Sequence, residues 1–143
     1  MSSAPRVAGH EVRVGDQLPP LVVPVTTALV VAGAIATRDF QDVHHDRARA
    51  NELGSPDIFM NIHTTTGIVS RFLTDWAGPP SRLLGIAIRL GVPNYPGDEM
   101  TVTGEVTDIE GPVVEVTLVG RNRHGDHVTG RARLELAERP GSR

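Results

Sequence analysis

Between Asp39 and Asp46 the chain places three carboxylates and two imidazoles in eight residues: Asp39, Asp42, His44, His45 and Asp46. A carboxylate and an imidazole in one loop hold a water molecule between them and exchange its proton near neutral pH. Asp39 and His44 stand five residues apart across a loop that can turn both to one side, and they are the candidate pair. The same residues serve equally as helix caps and surface ion pairs, so composition leaves both readings open. Metal ligation by Asp42, His44, His45 and Asp46 has less behind it. Neighbouring His side chains point apart, and the sequence has neither an HExxH helix nor a second matching cluster.

The remaining chemistry is narrowed by what is missing. With no cysteine there is no disulfide scaffold, thiolate metal site or cysteine nucleophile, and because all 14 basic residues are Arg there is no Schiff-base or P-loop lysine. GxGxxG, Walker and GxSxG motifs are absent, and Ser70 and Ser81 have no triad context. Residues 1–75 carry 6 Arg and 8 acids and residues 76–143 carry 8 Arg and 9 acids, so no basic half awaits nucleic acid. His124 and His127 flank Gly125-Asp126 and read as a solvated hairpin. His63, near the start of a helix, reads as a structural histidine, facing inward or toward a partner. His10 carries no signal, and residues 91–98 read as turn chemistry.

The loop must be held by elements that the patterning makes legible. Leu21–Val25 reads as a strand, and Thr26 or Thr27 caps a short helix through Ala36. Asp46 caps a second, ending at Gly54. Ser55-Pro56-Asp57 presents a cap, a first-turn proline and an acid, so the long central helix is expected to start there and run to Gly78-Pro79-Pro80. Ile58, Ile62, Val69, Phe72 and Trp76 give it an apolar face, and Gly67 inside it predicts close approach of another backbone. Alternating segments around 84–90, 100–107, 114–119 and 128–136 read as an antiparallel meander. A sheet wrapped around one apolar helix covers both apolar surfaces, which is the hot-dog fold in the α+β class. The 143 residues read as one domain, 1–143, with 1–9 and 138–143 loose at the ends. The uncharged stretch 17–37 is broken by Pro19, Pro20 and Pro24 and preceded by acids, so it is expected neither to span a membrane nor to act as a signal peptide. A cytoplasmic protein is the expectation.

Thr37-Arg38-Asp39-Phe40-Gln41-Asp42-Val43-His44 resembles the hydratase motif of MaoC-like (R)-specific enoyl-CoA hydratases, Ser/Thr-Gly-Asp-x-Asn-Pro-aliphatic-His. Arg38, Gln41 and Asp42 depart from it, and Asn61 stands where the family often has Gly. Over nearly its whole length the chain is similar to the small MaoC-like subunits of actinobacterial steroid side-chain hydratases, through residues 36–46, 57–62, 74–79, 89–93, 120–122 and 125–127. The resemblance implies Asp39 and His44 as the catalytic pair. It also implies a larger partner with a degenerate MaoC domain, often bearing an OB-type domain that recruits an aldolase. The reaction implied is hydration of the C17–C20 double bond of a steroid CoA thioester. Free backbone N–H groups at the start of the central helix, near Asn61 and Ile62, are candidate donors to the thioester oxygen, with Gln41 a further substrate contact. No metal or cofactor is called for, since CoA is part of the substrate, and no nucleic-acid or membrane partner is expected. One hot-dog unit is too small to enclose a steroid joined to CoA, which points to a shared site. The competing expectations are a homodimeric (R)-hydratase of simpler acyl-CoAs, a non-catalytic hot-dog subunit and a hot-dog thioesterase.

Overall fold

The computed structural model describes residues 11–137. The expectations for residues 1–9 and 138–143, and for His10, lie outside them. Strand β1 (Leu21–Pro24) is followed by α1 (Thr27–Ala36), a 3-10 turn (Asp42–His44), α2 (Arg47–Glu52) and α3 (Ile62–Ala77). Four longer strands follow: β2 (Arg82–Leu90), β3 (Glu99–Glu110), β4 (Val113–Asn122) and β5 (Gly125–Glu135). They form one antiparallel sheet in the order β1-β3-β4-β5-β2. Met100, Val102, Val106, Val114, Val116, Leu118, Val128, Ala132 and Leu134 face inward at alternate positions and bury against Val69, Phe72, Leu73 and Trp76 of α3. The contact is close enough that a Cβ at Gly104 would touch the Phe72 ring. This is the expected hot-dog arrangement.

The central helix begins later than its local signal predicts. Ser55, Pro56 and Asp57 form a turn instead, in which Ser55 Oγ donates to Asp57 O at 2.6 Å and Asp57 Oδ1 accepts from Ile58 N at 2.7 Å. The chain then runs extended, because Ile58 and Met60 are drawn separately into the core. Their segment also finds backbone partners outside any helix: Phe59 N donates to Val43 O and Met60 N to Asn94 O, both at 3.1 Å. Tertiary pairing overrides the cap signal. Asn61 takes the cap role, its Oδ1 accepting from Thr64 N at 3.0 Å. Four turns later the helix ends at Gly78, whose φ of 85° needs a residue without Cβ.

The reading of Gly67 is corrected, and β2 carries an irregularity. Nothing among the described residues lies within 4 Å of a Cβ built on Gly67, so no other described segment packs on it. In β2 the register jumps from Leu83↔Leu134 to Gly85↔Arg133, leaving Leu84 as a bulged residue, 44% exposed, while Leu83, Ile86 and Ile88 pack inward.

Candidate active site

Asp39 is delivered by the end of α1. Arg38 N donates to Ile35 O and Asp39 N to Ala34 O, at 3.1 and 2.9 Å, the paired bonds of a Schellman cap. The residue between cap and Asp39 must then be left-handed, and Arg38 has a φ of 56°, the one positive φ among the described non-glycine residues. That explains why the hydratase motif has Gly here. Arg38 holds a conformation that costs an L-residue about 1–2 kcal/mol.

His44 sits at the end of the 3-10 turn and is 6% exposed. Its ring stands edge-on to Phe59 at 5.0 Å, and its Nδ1 lies 2.7 Å from Phe59 O. A carbonyl only accepts, so Nδ1 carries the proton. In the neutral ring Nε2 is therefore a lone pair, and it faces Asp39 Oδ2 at 3.3 Å. Two acceptors face each other, and a water donating one O–H to each satisfies both.

Asn61 completes the arrangement from the start of α3. Its Nδ2 donates to Asp39 Oδ2 at 3.1 Å and Thr37 Oγ1 at 2.9 Å, while its Oδ1 accepts from Thr64 N and Thr64 Oγ1. Every amide position is used, which fixes the side chain. The Asn61 amide holds the Asp39 carboxyl below the usual carboxylate range. The Gln41 N–H acts the same way, against the opposing effect of burial. The Ile62 and His63 N–H groups lie in the first turn, where a helix offers no acceptor. A cleft of about 150 Å³ opens beside them, between Phe59–Ile62 and Leu90–Pro93, with His44 in its wall.

The structure thus brings together Asp39, His44 and Asn61, with Ile62 at the cleft. Gln41 is exposed; its backbone N–H reaches Asp39 Oδ1 at 3.5 Å. The capping and ion-pair reading holds for Asp46 and Asp42, while Asp39 and His44 face each other as a candidate pair. Asp46 caps α2 through Arg49 N at 3.0 Å, and Asp42 pairs with Arg49 and His45 at the surface. His63 is exposed, so it is not an inner histidine. Among the described residues no group of three or more His, Asp or Glu is placed to hold a metal ion, and no helix is long and apolar enough to cross a membrane.

The solvated-hairpin reading fails for His127. It is 2% exposed, with Nδ1 donating to Val92 O at 2.7 Å and Nε2 facing Thr65 Oγ1 at 2.8 Å. The cause is a bulge: Gly120 pairs with Val128 and Arg121 with Asp126, so His127 is the extra residue and turns inward. A strand glycine is the signal that would have revealed it. Residues 91–94 are likewise more than a turn. Gly91 N and Val92 N donate to His127 O and Asp126 O, and a Cβ on Gly91 would collide with Asp126 O.

Burial lowers the His127 pKa from its ordinary value, against the Val92 bond. The unfolded chain then binds a proton below pH ~6.5 that the folded chain refuses, so stability is present above that pH and falls as pH drops. Unfolding free energies from urea titrations between pH 8 and 5 are expected to fall less steeply for His127→Gln than for wild type, by at most about 1.4 kcal/mol per pH unit. Parallel curves would show that His127 does not contribute.

No protein-family model matches the chain. It is 50% identical over 125 residues to the 3-oxo-4,17-pregnadiene-20-carboxyl-CoA hydratase beta subunit of Mycobacterium tuberculosis, covering 87% of this chain and 97% of that one. A chain in the crystal structure of the ChsH1–ChsH2 complex from Mycobacterium tuberculosis superposes with a TM-score of 0.87 at 49% identity, covering 89% of this chain and all of the other. The (R)-hydratase from A. caviae involved in PHA biosynthesis gives a TM-score of 0.82 at 26% identity, covering 90% of this chain and 100% of its own.

Proposed function

The chain belongs to the family of MaoC-like hot-dog hydratases that includes the steroid-CoA hydratase beta subunit, and from that premise we propose that it is the catalytic subunit of a heteromeric enoyl-CoA hydratase. Its substrate class is a steroid side-chain CoA thioester with a C17–C20 double bond, as the relative's name describes. The observation that carries the reading is the pair of facing acceptors, His44 Nε2 and Asp39 Oδ2, 3.3 Å apart.

The thioester carbonyl withdraws electrons from the conjugated double bond and makes the β-carbon, C17, electrophilic. A water held by Asp39 and His44 adds its oxygen there. The pair takes one proton from the water and gives one to the α-carbon, so the elements of water are added with no net change in the protein. Negative charge builds on the thioester oxygen in between, and the Asn61 and Ile62 N–H groups at the positive end of α3, both lining the cleft, are the donors that meet it. The substrate supplies its own polarisation, so no cofactor or metal is required. Gln41 lies at the exposed edge and contacts substrate from there. A CoA substrate places the work in the cytoplasm.

The partner is a larger MaoC-like subunit, with an OB-type domain that recruits an aldolase. The resemblance supports it, and so does size. The cleft of about 150 Å³ is well below the roughly 300–1,000 Å³ of pockets that enclose drug-sized ligands. Phe40, Ile62 and Leu90, exposed by 66, 45 and 37%, leave apolar surface beside it for a second chain and a steroid to cover. The two chains purified together are expected to remove the conjugated-thioester absorbance of the C17-unsaturated steroid CoA, and this chain alone is not. Hydration of crotonyl-CoA by this chain alone would overturn the heteromeric assignment in favour of a homodimeric hydratase. Release of free thiol would make it a thioesterase.

A further inference from the structure

Behind the cleft runs a buried polar chain that the reaction itself does not use. Asn122, at the end of β4, donates through Nδ2 to Pro93 O at 2.9 Å and Asn94 Oδ1 at 2.8 Å, and its Oδ1 accepts from His124 N at 2.8 Å. Asn94 is fully buried, and its Nδ2 lies against the sulfurs of Met100 and Met60 at 3.3 and 3.8 Å. Reversing the Asn94 amide would face its oxygen to two sulfurs and its NH2 to the donor of Asn122, so one orientation is set. The backbone carbonyl of Asn94 then accepts from Met60 N at 3.1 Å.

That N–H and the carbonyl of Phe59 are the two ends of one peptide group. The group is planar, so fixing the direction of the N–H fixes the direction of the C=O. The C=O is the acceptor that holds His44 Nδ1 at 2.7 Å. We propose that Asn122 and Asn94 are positioning residues. They orient the 59–60 peptide plane, which keeps the proton on His44 Nδ1 and the Nε2 lone pair aimed at Asp39. The inference rests on His44 being part of the catalytic pair. It assigns a role to two asparagines more than 20 residues away in sequence from the loop they serve.

The test uses this chain assembled with its partner subunit, with His44→Ala as a parallel control. Asn122→Ala is expected to lower kcat on the order of 10²-fold, as a misplaced catalytic group does, with KM nearly unchanged. The 15N signature of the His44 ring is expected to change from a fixed Nδ1–H tautomer to a mixture. Asn94→Ala keeps the Asn122–Pro93 bond and is expected to move both readouts the same way by less, so it serves if the first variant does not fold. Wild-type kcat with an unchanged His44 ring signature in a folded variant overturns the proposal, even if the melting temperature falls. Turnover retained in His44→Ala instead overturns the reading of the site on which it rests.

Discussion

His44→Ala assembled with its partner folds and retains its quaternary structure, but its hydration rate falls by about 10²–10⁴, the usual contribution of a placed acid–base group. Asp39→Asn is expected to lose a similar amount for a different reason. His44 Nε2 is a lone pair because Phe59 O takes the only ring proton, and Asp39 Oδ2 is a second acceptor 3.3 Å away. Both are needed to hold the two O–H bonds of one water. In Asp39→Asn, the amide NH2 can turn to His44 Nε2 and donate to it, which ties up the lone pair and excludes the water. Asp39 is partly exposed, whereas His44 is buried against the Phe59 ring, so the size-exclusion profile also checks that His44→Ala keeps its fold. Steady-state turnover and size-exclusion profiles of both variants are the measurement. Wild-type turnover in either one would leave this chain as a non-catalytic subunit that only shapes its partner's pocket.

The candidate pair was legible because it lies in one loop of unusual composition, and because an Asp and a His across a short turn have few ways to avoid each other. The hot-dog arrangement was legible for a similar reason: one apolar helix and a meander of alternating strands leave little choice of packing. What the sequence concealed depends on contacts between distant segments. The cap signal at Ser55-Pro56-Asp57 is real locally, but it loses to the pairing of Phe59 with Val43 and Met60 with Asn94. His127 reads as part of a solvated hairpin beside Gly125-Asp126 and is buried by a one-residue bulge, a backbone event with a weak sequence signal in Gly120. Arg38 is the converse case. It breaks the glycine rule at a position whose left-handed φ only the Schellman cap explains.

Asn61→Ala is expected to raise the Asp39 pKa and to move the acid limb of turnover to higher pH wherever Asp39 must be ionised. Asn61 is the leading cause of the lowered Asp39 pKa, so removing its Nδ2 donor takes away the main preference for the charged form. Burial, which acts the other way, then counts for more. The same substitution removes the cap on Thr64 N and costs about 1 kcal/mol of stability. Asn61→Asp separates these effects. It keeps an acceptor for Thr64 N at the positive end of α3, so the cap survives. It also puts a second carboxylate where the amide stood, 3.1 Å from Asp39 Oδ2, and like charges that close cannot both ionise easily. Of the two variants, Asn61→Asp is therefore the more stable to urea, yet it shows the larger upward shift of Asp39. Titration of the Asp39 carboxyl by 13C NMR, beside pH–rate profiles of the assembled enzyme, reads both quantities. An Asp39 titration that stays in place in both variants would show that Asn61 serves only as a helix cap. The lowered pKa would then have to come from the Gln41 N–H.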